Sequence, residues 1–344
     1  MRPTLLVPFA FSLMIVANGC GAKGAKKTVA AILGTENQVE FGAQTTSEAV
    51  NAASAGDSEG ASGFGLVASD LDSGSPIKSS SKTCAVQADG SALVTISSEI
   101  AFEKSSSNDK VSKTISMSGS SSEKRTWSHP SGVQCVGDKA KVSLKSDPTN
   151  YSLKVQIERS RKQTMSQTNA KKNSTMSSSR SFSMNGERII SIVSYSEDTA
   201  NNVSIQEKKV SGSMNRSFSY VDKNNETKTG SFASVTVGEP MLVKVKRSLS
   251  SKEVVSREFV SGTRKSTLAD GSMIETSFSN FVMTGSGESC EAQSGALTLK
   301  YLDSEGALGK TLTCAADSGL LSCSDESGAA VELESPSCDP ADDK

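Results

Sequence analysis

From Thr83 onward, large side chains recur at every second position. Val94, Ile96, Ile100 and Phe102 share one parity, and so do Tyr151, Leu153, Val155 and Ile157, with Ser152, Lys154, Gln156 and Glu158 on the other. The rule repeats at Met241, Val243, Val245 and Leu249, at Ile274 and Phe278, and at Leu297, Leu299 and Tyr301. Successive side chains of a strand point to opposite faces, so this alternation marks strands with one buried and one wet face, which antiparallel sheets permit. Turn residues fall between the runs at Asp89-Gly90, Asp147-Pro148, Asn185-Gly186, Asp222 to Asn225, Asp270-Gly271 and Ser304-Glu305-Gly306. Asn-Gly and Asp-Gly accept positive φ and close hairpins. No long stretch after residue 83 carries a period of 3.6.

The expected body is therefore all-β: a large antiparallel meandering sheet, curved or partly closed into a barrel. Its strands should be long, often ten residues or more, which disfavours a compact short-stranded sandwich. Serine, at 65 residues, fills many outward positions. Arg180-Ser181-Phe182-Ser183 is echoed by Arg216-Ser217-Phe218-Ser219, each expected to lead into a turn.

The N-terminus has a different character. Arg2 is the only charge before an apolar run from Leu5 to Ala17, which is too short to span a bilayer comfortably as a permanent helix and reads as an export signal. The run Val16-Ala17-Asn18-Gly19-Cys20 resembles the lipobox of bacterial lipoproteins, although Ala17 and Asn18 depart from its commonest form. The resemblance covers this segment alone. It implies cleavage after residue 19, acylation of Cys20, attachment to a membrane through that lipid, and a place in the bacterial cell envelope, at the outer membrane. Residues 20–82, rich in Gly, Ala and Ser, hold too little apolar surface to offset the entropy of ordering and are expected to form a flexible tether. The antiparallel domain then covers 83–287, a small disulfide-pinned β unit 288–338, and a disordered tail 339–344.

With Cys20 assigned to lipid, six cysteines remain: Cys84, Cys135, Cys290, Cys314, Cys323 and Cys338. An even number in an exported chain reads as disulfides. Their grouping suggests Cys84 with Cys135 and two bridges among the last four. A zinc site is disfavoured, because there is no Cys-x-x-Cys and no histidine close by. No metal or other cofactor is expected.

Charge is unevenly spread. Residues 139–265 hold 23 Lys and Arg against 11 Asp and Glu, whereas residues 266–344 hold 3 against 14. The basic stretch could meet an anionic surface or the acidic region, but the wet face and guarded edges of an antiparallel sheet also require such residues. Aromatic residues are sparse, so no stacking platform for nucleic acid accompanies the basic stretch.

The one histidine, His129, lies beside the one tryptophan, Trp127, in Trp127-Ser128-His129-Pro130. These two form the candidate functional cluster, and a strand-end packing role is the plainer reading. Without a converging nucleophile and orienting group, a single imidazole makes no catalytic triad. No Gly-x-Ser-x-Gly elbow, phosphate loop or His-Glu metal signature occurs. The chain is expected to be a non-enzymatic surface or periplasmic scaffold with a protein or cell-wall partner. The competing expectation is a carrier that shelters an apolar ligand in the concave face of its sheet. Phe182, Phe218, Phe259, Phe278 and Phe281 separate the two, by filling the interior or lining a void.

Overall fold

The computed structural model describes residues 77–107, 111–137, 141–145, 147–169, 174–221, 226–285 and 291–332. The expected signal, Cys20, most of the tether, Cys290, Cys338 and the tail lie outside them. Fifteen strands run in chain order: β1 (Ile77–Val86), β2 (Ala92–Ser107), β3 (Val111–Ser128), β4 (Gln134–Val136), β5 (Lys141–Ser143), β6 (Ser152–Asn169), β7 (Ser174–Asp198), β8 (Val203–Val221), β9 (Thr227–Ser248), β10 (Val254–Leu268), β11 (Met273–Thr284), β12 (Glu291–Leu302), β13 (Leu308–Asp317), β14 (Leu320–Asp325) and β15 (Ala330–Glu332). Thirteen form one open antiparallel sheet in which each strand lies beside its chain neighbour. The exception is local: β4 and β5 pair with each other, so β3 pairs directly with β6. The body is the meandering all-β sheet that the alternation implies. It is open, with β1 and β15 at its edges. β1 begins at Ile77, upstream of the first alternating run, and β12 to β15 continue the main sheet from β11.

Turns are built from one repeated device. In Asp89-Gly90-Ser91 and Asp270-Gly271-Ser272 the Asp carboxylate accepts from both the amide and the hydroxyl of the Ser, at 2.9 and 2.7 Å in the first and 3.0 and 2.7 Å in the second. The glycine between takes φ of +80° or +85°. Asn185-Gly186 behaves otherwise and corrects the turn expected there. Both residues lie in mid-strand within the 25-residue β7. A Cβ on Gly186 would stand 2.9 Å from the Ser213 carbonyl oxygen, so glycine serves close strand approach there and no reversal. The echoed Arg-Ser-Phe-Ser segments also lead into no turn at Ser183. They lie antiparallel, with Phe182 opposite Phe218 and Ser183 opposite Ser217.

One face of the sheet is buried. Its main cluster runs from Ile190 on β7 through Val210, Met241, Val243, Phe259, Phe278, Phe281 and Leu299 to Cys323 on β14. Thirteen strands laid flat would span about 58 Å, and twisted open sheets of this width curl. Bulges and glycines supply the bend. Pairing jumps from Ser279 with Ala296 to Val282 with Ser294, so Asn280 and Phe281 face the single residue Gly295. Asn280 has φ +46° and Gly295 φ +91°, and a Cβ on Gly295 would stand 2.0 Å from the Asn280 carbonyl oxygen. The extra residue returns Phe281 to the side of Phe278, although they are three positions apart. Phe259, Phe278 and Phe281 then pack together, with ring centroids 5.0 to 6.4 Å apart. Phe259 and Phe281 are wholly buried and fill the interior.

The other face is a grid of hydroxyls. Ser120 and Ser160 meet at 3.0 Å, Ser183 and Ser217 at 2.7 Å, and Thr168 and Thr175 at 3.1 Å, all across neighbouring strands. Such pairs keep a wide sheet face polar, and charges such as Lys154 and Glu187, paired at 2.8 Å, stand on the same side.

Candidate functional site

Trp127 ends β3 and packs in a satellite cluster with Ala92, Val133 and Tyr151, joined by Val142 and Leu144 from the β4–β5 excursion. The Cys84–Cys135 disulfide ties that excursion to β1. His129 lies in the turn that follows. Its Nδ1 accepts from the Ser131 amide at 3.1 Å and stands 2.7 Å from Ser131 Oγ, to which Lys145 Nζ donates at 2.5 Å. The imidazole lies over the Tyr151 ring at 4.5 Å, and the Tyr151 hydroxyl accepts from the Lys145 amide at 3.1 Å. A serine hydroxyl between imidazole and ammonium has two members of a nucleophilic constellation. It has no orienting carboxylate bonded to the imidazole among the described residues, and Ser131 and Lys145 are exposed. The contacts close the 129–132 turn, where Gly132 N–H donates to the His129 carbonyl at 2.9 Å.

The second disulfide joins Cys314 and Cys323, directly opposite on β13 and β14, within the buried cluster. Among the described residues no group of three His, Cys, Asp or Glu could hold a metal ion.

A larger constellation appears on the buried face. Residues directly opposite in antiparallel strands project to the same side. Arg125 and Arg188 both lie opposite Val155, and Arg159 and Arg216 both lie opposite Met184. Arg161 lies opposite Phe182, Arg180 opposite Tyr220, Arg257 opposite Val245 and Met283, Arg264 opposite Thr276, and Arg247 opposite Val254. All nine arginines beyond Arg2 thus share the side of the apolar core, whereas lysines are divided between the two sides. Arg159, Arg188, Arg257 and Arg264 are buried, as is Lys208.

Glu123 is the only buried acid among the described residues. Its carboxylate bonds Arg125 Nε at 2.5 Å and stands 3.8 Å from Arg159 Nη2. Burial lowers the proton affinity of Arg159; Glu123 opposes that shift and Arg216 adds to it. Lys208, 1 % exposed, lies in the row of Val243 and Phe259. Burial pushes its ammonium well below the ordinary lysine range, and the nearby charges of Arg247 and Arg257 push it further. Concentrating one sign of charge on an apolar face costs desolvation and repulsion, and such arrangements gather at functional sites. Guanidinium forks match the geometry of phosphate and carboxylate.

Toward the hairpin ends the same face is half-exposed. Arg161 directs Nε and Nη2 to Met117 Sδ at 3.2 and 2.9 Å. The Phe218 ring lies over Gly230, where a Cβ would meet it at 2.1 Å, so glycine there admits the ring. At this level a depression of about 290 Å³ is lined mostly by residues of the hydroxyl face, Ser118, Ser160, Lys162, Ser181, Ser183 and Ser217, with Gly119, Arg161 and Phe182 between them.

Basic excess in 139–265 was visible in the sequence, but the segregation of Arg was not. Its signal was parity: Arg159 and Arg161 continue the phase of Val155 and Ile157, and Arg188 that of Ile190. Among the described residues no helix is long and apolar enough to cross a membrane. No family model, curated protein or solved structure matches the chain.

Proposed function

We propose that this is a non-enzymatic bacterial lipoprotein, anchored through Cys20 at the outer membrane, whose sheet is an interaction scaffold for an envelope partner. The observation that carries the scaffold reading is the two-faced sheet, with every strand-borne arginine on the apolar side and a hydroxyl grid on the other. A surface of that kind recognises without needing a reaction centre, and the one imidazole is engaged in closing a turn.

A second reading, a carrier of an apolar ligand, draws support from the half-exposed Phe182 and Phe218 beside Arg161 and Arg180. The filled interior around Phe259 restricts that role to the hairpin end.

Two measurements test the proposal. Metabolic labelling with an alkyne-bearing fatty acid should tag the chain and leave Cys20→Ser untagged; equal labelling of the two refutes the anchor. A photoreactive residue replacing Arg180 should give discrete cross-linked products in intact cells, and one replacing Ser183 should not. Equal products from both faces, or none from Arg180, refute the scaffold face.

A further inference from the structure

We infer that the hairpin end of the arginine-bearing face, on β2, β3 and β6 to β9, docks on an anionic phospholipid surface. The inference deepens the interaction reading and rests on it. Three rows of side chains cross the strands there. One runs Ile100, Gly119, Arg161, Phe182, Phe218, Gly230, and the next Phe102, Met117, Gln163, Arg180, Tyr220, Lys228. The third holds Lys104, Ile115, Met165 and Ser178.

Within these rows every charge is positive, and each cation stands among aromatic or long aliphatic neighbours. Phe102, Ile115, Met117, Met165, Phe182, Phe218 and Tyr220 are all half-buried, and Lys104 and Lys228 are exposed. Lys228 shares its charge with Glu226, outside the rows, at 2.6 Å. The opposite face at the same level carries Ser118, Ser120, Ser160, Ser181, Ser183 and Ser217. Soluble sheets place cations on the wet face and apolar groups on the dry one. Here both occupy one side, and the other carries hydroxyls with Lys162 and the acids Glu99 and Glu103 among them. Interleaved cations and aromatic rings are the composition that settles at the headgroup level of a bilayer, where guanidinium groups meet phosphate and rings meet the acyl boundary. Charge complementarity therefore selects an anionic lipid over a neutral one, and the apolar rows select a lipid over a free polyanion.

The test uses the full chain carrying Cys20→Ala, so that no acyl anchor can carry it to a membrane, in flotation with vesicles. Vesicles of phosphatidylglycerol and phosphatidylcholine should capture it, and pure phosphatidylcholine should not. Arg161→Glu with Arg180→Glu should weaken capture at least tenfold. Phe182→Ser with Phe218→Ser should weaken it several-fold, whereas Lys124→Glu with Lys162→Glu on the hydroxyl face should leave it unchanged. Arg161→Lys with Arg180→Lys, which keeps the charge, should restore most of the capture, and each variant's thermal melt reports that it is folded. Capture absent, equal on both vesicles, indifferent to Arg161 and Arg180, or equally lost with the hydroxyl-face pair would overturn the inference. So would indifference to Phe182 and Phe218 together with full competition by inositol hexaphosphate, which would mark a site for a soluble polyanion. Failure here leaves the cross-linking test intact, because a protein partner would still mark position 180.

Discussion

Phe259→Ala is the sharpest test of how this sheet is held together. The ring is wholly buried, lies 5.0 Å from Phe278 and 6.4 Å from Phe281, and stands opposite Val243 and Phe281. Truncating a core phenylalanine costs about 3–5 kcal/mol, and each aromatic pair adds about 0.5–1.5 kcal/mol beyond burial. Two ring contacts place this site in the upper part of that range, at about 4–5 kcal/mol. For a domain of this size each kcal/mol lowers the melting temperature by about 2–4 °C, so a fall of roughly 8–20 °C is expected. Phe182, half-exposed toward the hairpin ends of the same face, is the internal control, and its truncation should cost about 1–2 kcal/mol. The assay is guanidinium unfolding with disulfides intact, followed through the fluorescence of Trp127, the only tryptophan. A loss below about 1 kcal/mol at Phe259, or one equal to that at Phe182, would mean that the ring borders open space. The interior around Phe259 would then not be filled.

Glu123→Gln should cost about 3 kcal/mol, since it leaves Arg125 and Arg159 without their shared carboxylate, and Arg159→Met in the same chain should recover part of it; a double-mutant cycle by denaturation reads the coupling. Lys208→Met should stabilise the protein at neutral pH by about 1–3 kcal/mol. The unfolded chain holds this proton up to the ordinary value of 10.5 and the folded chain releases it lower. Lys208 therefore makes stability rise with pH across that window, and unfolding measured at several pH values should show the slope diminished in the variant. The Cys84–Cys135 bridge spans 51 residues and Cys314–Cys323 spans 9. The chain-entropy model gives about 4 and 2.6 kcal/mol for them. Replacing the first pair with Ser should therefore lower the denaturation midpoint more than replacing the second.

Strand content was legible because alternation is local: each run from Val94 to Tyr301 reports its own period without reference to a partner. The Asp-Gly-Ser turns were legible for the same reason, since Asp89 and Asp270 each bond a residue two positions on. Asn185-Gly186 misled because glycine has two uses, and only the neighbouring strand, with Ser213 against Gly186, decides between them. The Cys84–Cys135 bridge followed from grouping, but its purpose, tying the β4–β5 excursion to β1, appears only once both are placed.

Of the candidate site, the sequence supplied Trp127, His129 and an excess of cations in residues 139–265. What it could not supply was the side on which those cations stand. That depends on pairing register across strands up to 25 residues long, and on bulges such as Asn280 opposite Gly295 that reset parity midway. Register is a long-range property, fixed by burial of Val243, Phe259 and Phe281 against one another, and no local window contains it. The sequence by itself therefore determined the material of this protein, a meander of two-faced strands. The tertiary structure alone decided that one face would gather the arginines with the core while the other kept the hydroxyls.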